Sequence, residues 1–199
     1  MTGKPRVPPA AKALQLRIAL RYIQPPIWRR VLVPDTFTLG QLHDVIQAAM
    51  GWDDGHLHAF RLSGRRFGPA LPEFGSDVEG VEDEDTTLLG DVLTRKRQKL
   101  NYEYDFGDGW EHEIGVEAIV PYDPQARYPV CLDGARACPP EDCGGIPGYM
   151  GILEALSAPT RTPEQAELLE WMPARFDPER FDLAEVNRRM GGSSLISEE

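Results

Sequence analysis

The chain has 199 residues, a length that fits one globular domain and allows a substantial buried core. Its 41% apolar and 9% aromatic residues exclude wholesale disorder, and no apolar stretch is long enough to cross a membrane. The formal net charge of −11 disfavours general nucleic-acid binding, because phosphate contacts require concentrated lysine and arginine.

The first predicted elements are two strands and a helix. Apolar and polar residues alternate over residues 14–22, which predicts a strand with one buried face. Residues 27–33 read as a second strand, expected to pair with the first as a hairpin. Thr38 and Gln41 form a capping-box pattern at the start of a helix, and Gly51 marks its end.

Alternation predicts a third strand over 56–62. An acidic, glycine-rich loop follows it, which we expect to be mobile, and a short helix is predicted near 87–93. The clearest pattern is a hairpin with strands at 99–106 and 110–118. The chain then runs irregularly through a cysteine loop into helices, among them one that starts at Thr162.

This order of elements predicts an α+β fold. We expect a mixed or antiparallel sheet of about five strands with a packed helix in β-grasp-like order, followed by a C-terminal helical segment. The predicted organisation is a disordered basic tail at 1–12, one domain at 13–190 and a flexible tail at 191–199. Within the domain we expect a sheet and helix core at 13–122, a cysteine loop at 123–147 and helices at 148–190.

Arg29 and Arg30 follow Trp28 on the second predicted strand. A guanidinium beside an indole suits a phosphate or a base, but strand alternation allows only one of the two arginines to face the interior. We favour the interpretation of an edge strand that is protected by charge.

Three cysteines and one histidine form a candidate metal site. Cys131, Cys138 and Cys143 share a loop, and the strand that carries His112 leads toward it. Zinc prefers four such ligands, although this spacing is looser than that of a zinc knuckle. The alternative is that the cysteines are small buried hydrophobes and His112 is a core histidine. An odd cysteine count without an export signal favours reduced thiols and a cytoplasmic location.

Three histidines form a second candidate group. His56 and His58 share one face of a strand, and His43 lies on the helix expected to pack on the sheet. Together with Asp53 or Asp54 they would make a metal site or an acid/base centre. The alternative is that each histidine is structural.

Several strings of residues resemble the plasmid pRiA4b ORF-3-like family. They are Ile-Gln-Pro-Pro-Ile-Trp-Arg-Arg at 23–30, Leu-Gly-Gln-Leu-His at 39–43, Ile-Gln-Ala-Ala-Met-Gly-Trp at 46–52, His-Leu-His at 56–58, Tyr-Asp-Phe-Gly-Asp-Gly-Trp-Glu-His at 104–112 and Cys-Pro-Pro-Glu-Asp-Cys-Gly-Gly at 138–145. Some members are labelled passenger proteins of insertion elements, with a resolvase-style name. A serine recombinase needs a nucleophilic serine surrounded by arginines, and Ser63, Ser76 and Ser157 lack that setting.

The leading functional hypothesis is a cytoplasmic binding or accessory protein without catalytic residues. Its association with plasmids and mobile elements is implied by the resemblance alone, and zinc is its candidate cofactor. The partner is a protein or a small-molecule ligand, with no membrane involved. The alternatives are a metal-dependent enzyme, hydrolase-like, that uses His43, His56 and His58, and a DNA-associated accessory factor.

Overall fold

The computed structural model describes residues 12–69, 80–170, 172 and 176–192. These residues form one sheet of eight strands in the order β5-β4-β3-β6-β7-β1-β2-β8. The strands are β1 (Lys12–Leu20), β2 (Trp28–Pro34), β3 (His58–Leu62), β4 (Arg65–Gly68), β5 (Val81–Asp83), β6 (Lys99–Tyr104), β7 (Trp110–Pro121) and β8 (Val130–Ala135). Neighbouring strands are antiparallel except β4 and β5, which are parallel.

The predicted α+β class is broadly right, but the sheet of about five strands in β-grasp-like order is wrong. Three additional strands extend the sheet: β4 and β5 at one edge and β8 at the other. All three are short and lie in segments that we predicted to be irregular. The predicted tail at 1–12 lies outside the described residues except for Lys12, which begins β1, and residues 193–199 lie outside them entirely.

The hairpin of β1 and β2 is confirmed, with Leu14 paired to Val33. The interpretation of β2 as an edge strand is wrong, because β2 lies between β1 and β8. Alternation along β2 buries Arg29, whereas Arg30 points to the other face and pairs with Glu117. Only one of the two arginines therefore reaches the interior, as the strand pattern predicts.

Helix α1 (Leu39–Met50) covers one face of the sheet. Its capping box is confirmed: Gln41 N donates to Thr38 Oγ1 at 3.1 Å, and Thr38 N donates to Gln41 Oε1 at 2.9 Å. Gly51 ends the helix with a φ of 87°, a conformation that favours glycine. Almost all of the helix is buried, so α1 holds its side chains in fixed positions against the strands.

The opposite face of the central strands carries ion pairs instead of apolar side chains. Arg21 Nη1 lies 2.8 Å from Glu111 and Lys99 Nζ lies 2.8 Å from Glu113. Both glutamates belong to β7, along which they alternate with buried residues. Exposed pairs of this kind contribute little to stability, so the core on the α1 side dominates the fold.

The remaining helices are α2 (Leu89–Val92), α3 (Gly145–Ser157), α4 (Pro163–Glu170) and α5 (Leu183–Gly192). Helix α5 packs against α1 and β8, and α3 packs against α4. Within the described ranges, no helix combines the length and the apolar character that crossing a membrane requires.

Thr38→Ala is expected to lower the free energy of unfolding by about 1 kcal/mol, because it removes one half of the α1 capping box. Thr162→Ala is the matched control, since Thr162 and Gln165 form the same box at the start of α4. Helix α4 has no buried residue, so the loss there is expected to stay below about 0.5 kcal/mol. Urea unfolding of both variants measures the difference, and equal losses would contradict the assignment of α1 to the core.

Candidate metal centre

A chain of hydrogen bonds fixes the imidazole of His43. The Tyr102 hydroxyl is hydrogen-bonded to His43 Nδ1 at 2.8 Å and accepts from Gln47 Nε2 at 3.1 Å. His43 Nε2 lies 2.8 Å from Asp54 Oδ1. Burial and the neighbouring His58 lower the pKa of His43 to about 4, so the ring is uncharged at neutral pH. The result is a positioned, neutral imidazole, the form of histidine that ligates metals.

The ring of His58 lies flat on the ring of His43, with centroids 3.5 Å apart and planes only 6° from parallel. His58 begins β3, and its Nε2 donates to the two carboxylate oxygens of Glu84 at 2.9 and 3.0 Å. The side chains of His58 and Glu84 are 7% and 5% exposed. Burying two polar groups costs free energy, so the packing of the rest of the core has to offset the burial of this pair.

Carboxylates are concentrated around the two rings. They belong to Asp44, Asp54, Glu84 and Asp85. Loss of hydration and the charges of Asp54, Asp85 and Glu84 raise the pKa of Asp44 to about 6, although its side chain reaches solvent. Within the described part of the chain, none of these carboxylates forms an ion pair with lysine or arginine. A bound cation would offset this negative charge.

His43, Asp54 and His58 each offer one ligand atom, and these atoms all lie within 4.8 Å of one another. Two imidazole nitrogens and a carboxylate oxygen are the donor set that suits divalent transition metals. The side chain of Asp54 is 56% exposed, whereas both histidines are buried. The group is therefore held from inside the protein and open to solvent on the Asp54 side.

A second group of similar chemistry lies at the turn between β6 and β7. His56 Nε2 is 3.1 Å from Asp142 Oδ1, and His56 Nδ1 is 3.8 Å from Asp105 Oδ2. Asp105 also accepts the backbone N–H of Gly107 at 2.9 Å, which accounts for one of its oxygens. The ring of Tyr104 lies between the two groups, with its centroid 5.7 Å from His56 and 6.4 Å from that of His43.

The three cysteines are unpaired and buried, and each contacts a different neighbour. Cys131 Sγ lies 3.4 Å from the backbone oxygen of Asp133, and Cys138 Sγ lies 3.0 Å from Met50 Sδ. Burial raises the pKa of all three thiols, to about 12 for Cys143. Neither group of convergent metal-ligand atoms among the described residues includes a cysteine.

His112, the fourth residue of the predicted zinc site, lies in the core of the sheet. Its Nδ1 donates to the backbone oxygen of Trp110 at 3.0 Å, and Nε2 has no hydrogen-bond partner among the described residues. The rings of Trp52 and Tyr102 lie 5.4 Å from its own. Burial lowers the pKa of His112 to about 4, so the imidazole is neutral.

The structure brings together His43, His58 and Asp54 of the histidine group predicted from the sequence. His56 belongs to the second group instead, and Asp53 uses its backbone N–H to donate to Glu141 at 2.8 Å. Sequence reasoning missed Glu84, which lies in an acidic segment without periodicity. Its position depends on the pairing of β4 with β5, which no local pattern indicates.

The fold and the site define an α+β protein with one large mixed sheet, a buried helix and a histidine–carboxylate cluster at the junction of the two. The chain belongs to the plasmid pRiA4b ORF-3-like protein family, whose model matches residues 12–185. The resemblance seen in the sequence strings is thereby confirmed.

Two similar proteins support this assignment. The uncharacterized protein y4hQ from Sinorhizobium fredii (strain NBRC 101917 / NGR234) is 37% identical over 179 residues, which cover 89% of this chain and 90% of that protein. The crystal structure of MM3350 from Methanosarcina mazei Go1, a protein of unknown function, superposes with a TM-score of 0.79 at 35% identity. That match covers 88% of this chain and 97% of the other.

Proposed function

We propose that this protein binds a divalent transition-metal ion through His43, His58 and Asp54, with Glu84 beside the same centre. The observation that carries the proposal is the convergence of the three ligand atoms within 4.8 Å of one another. The uncharged state of His43 supports it, because a metal ligand has to be deprotonated. A mixed nitrogen and oxygen donor set favours zinc, iron, manganese, cobalt or nickel over calcium or magnesium.

The side chains that contact His43 suit the same role. The Tyr102 hydroxyl holds Nδ1 of His43 and so directs Nε2 toward Asp54, and Gln47 in turn holds Tyr102. Hydrogen bonds of this kind orient ligating imidazoles in metalloproteins. The surrounding carboxylates add attraction for a cation.

A metal-dependent hydrolase is the second candidate function. The observation that favours it is the 56% exposure of the Asp54 side chain, which leaves an open side for water or substrate. A divalent ion held by His43, His58 and Asp54 would lower the pKa of a bound water molecule and so supply a nucleophile. His56, Asp105 and Asp142 then lie on the neighbouring surface as candidate acid/base or substrate-binding groups.

Metal binding is tested with Co²⁺ and Zn²⁺ added to untagged, chelator-treated protein. We expect about one equivalent to bind, with the visible absorption of Co²⁺ bound to nitrogen ligands. His58→Ala is expected to weaken binding by at least about 100-fold, and Asp54→Asn by about 10- to 100-fold. Asp53→Asn is the matched control and is expected to bind as wild type, since its carboxylate lies outside the group.

The same titration distinguishes this site from the zinc site predicted at His112, Cys131, Cys138 and Cys143. That zinc site stays a separate prediction. Cys143→Ala retains the full equivalent if the histidine group binds the ion, whereas it loses the equivalent if the cysteine loop does. Unchanged affinity in a folded His58→Ala variant would refute the proposed centre.

A further inference from the structure

A cleft of about 440 Å³ is lined by Trp52 but by none of His43, Asp54 and His58. It is formed by the end of α1, by residues 137–141 and by the segment that leads into α5. Apolar side chains on its walls include Trp52, Phe176, Phe181 and Val186. This cleft takes no part in the proposed metal centre, and its volume suits a small organic molecule.

Arg29 lies in the wall of this cleft and is only 3% exposed. Its Nε donates to the Ala49 oxygen at 2.9 Å, and its Nη1 donates to the oxygens of Trp28 and Ala135 at 2.8 and 3.0 Å. Nη2 contacts only the thiol of Cys138, at 3.6 Å. In the described part of the chain, Nη2 therefore has no oxygen acceptor, although a guanidinium nitrogen carries two donors.

The positive charge of Arg29 also lacks an anionic partner. No carboxylate of the described residues lies within ion-pair distance of it, and its acceptors are neutral backbone oxygens at the end of α1 and in the neighbouring strands. The ring of Phe181 covers one face of the guanidinium at 4.8 Å, which leaves its edge for an incoming group. Burying a charge without a counterion is costly, so a bound anion would compensate it.

Among the described residues, five acidic ones line the cleft, and four of them contact other groups: Asp177 accepts the backbone N–H of Glu179, Asp182 pairs with Arg180, and Glu185 and Glu141 are also engaged. Glu185 pairs with Arg189 at 2.6 Å and with Arg180 at 3.1 Å. Glu141 accepts the Tyr104 hydroxyl and the backbone N–H of Asp53. None of the five forms an ion pair with Arg29, so they do not substitute for its missing partner.

We infer that this cleft binds a small organic anion, with its anionic head on the guanidinium edge of Arg29 and its flat apolar body against Trp52 and Phe176. A carboxylate, a sulfonate or a phosphate ester fits the head, because each accepts charge-assisted hydrogen bonds from arginine. The aromatic walls select a planar body over a sugar or a free inorganic ion.

Anilinonaphthalene sulfonate is the probe, and phenylnaphthylamine, with the same rings and no charge, is its matched control. Fluorescence titration of the full chain is expected to show one saturable sulfonate site. Arg29→Gln is expected to weaken sulfonate binding by at least about tenfold, because a charge-assisted hydrogen bond is lost, and Arg29→Lys to retain part of it. Binding of phenylnaphthylamine is expected to be the same in wild type and Arg29→Gln.

Equal sulfonate affinity in wild type and Arg29→Gln would overturn the inference. If circular dichroism shows that Arg29→Gln is unfolded, the test is made instead by NMR on wild-type protein that contains nitrogen-labelled arginine. The Nε–H resonance of Arg29 is then expected to shift as the sulfonate binds. An unchanged resonance at saturating sulfonate rejects the site.

Discussion

Metal-free protein is expected to lose about 3 kcal/mol of unfolding free energy through His112 alone as the pH falls from about 6.5 to 4. The folded-state pKa of His112, about 4, lies below the 6.5 of an exposed histidine. The unfolded chain therefore takes up a proton on this residue before the folded protein does. The contribution of His112 is complete above pH 6.5, is lost progressively below it, and is gone once the pH is below 4.

Comparison of wild type with His112→Gln isolates this contribution, because other groups titrate equally in both proteins. The stability difference between them, measured by urea unfolding at several pH values, is expected to shift by about 3 kcal/mol in favour of the variant upon acidification. Val116→Ala is the control, since Val116 is equally buried on the same strand and does not titrate. A pH-independent difference for His112→Gln would show that His112 is not a desolvated histidine in the core.

Gly148→Ala is expected to cost about 3 kcal/mol of stability, because α3 starts in close contact with the cysteine loop. A Cβ atom at Gly148 would lie 1.7 Å from the backbone oxygen of Cys143 and 2.8 Å from its carbonyl carbon. No rotamer change relieves a contact with backbone, so the first turn of α3 has to shift. The segment 139–144, which borders the cleft and supplies Asp142, is expected to shift with it.

Gly151→Ala, three residues further along the same helix, is the matched control. The nearest atom to a Cβ there is Leu168 Cδ2 at 3.9 Å, an ordinary contact. Alanine is expected to raise stability by about 0.5 to 1 kcal/mol at this position, since it is the better helix former. Thermal and urea unfolding measure both variants, and destabilisation of the two by similar amounts would contradict the close contact at Gly148.

The elements that were predictable from the sequence are those with complete local signals. Helix α1 combines a capping box, an apolar stripe and a terminal glycine, and the structure has it at Leu39–Met50. The hairpin of β6 and β7 combines strict alternation with a glycine turn, and its register pairs Tyr104 with Trp110. Each of these elements is determined mainly by residues that are close in sequence.

The strands that the sequence did not predict depend on distant partners. Strand β5 has only three residues, Val81–Asp83, and exists because it lies parallel to β4. Strand β8 carries Cys131 and completes the edge beside β2, in a stretch with no clear alternation. Short strands of this kind gain their stability from pairing and not from intrinsic propensity, so no local pattern identifies them.

The residues of the candidate centre also divide into those that local patterns predict and those that depend on distant contacts. The helix and strand patterns were enough to place His43 and His58 on facing surfaces, and Asp54 follows α1 directly. Glu84 reaches His58 only through the pairing of β5, and Asp142 reaches His56 only through the fold of the cysteine loop. Residues that arrive by long-range contacts are therefore the ones that sequence reasoning omitted.

The strand order has a consequence for how this protein is made. β1 is synthesised early, yet both of its neighbours are needed to bury it, and one of them is β7, which pairs Lys12 with Pro121. The other edge of the hairpin, β2, pairs with β8, which is also synthesised later. On the ribosome, the first hairpin therefore emerges with both edges open, and these edges stay unpaired until roughly two thirds of the chain has been translated.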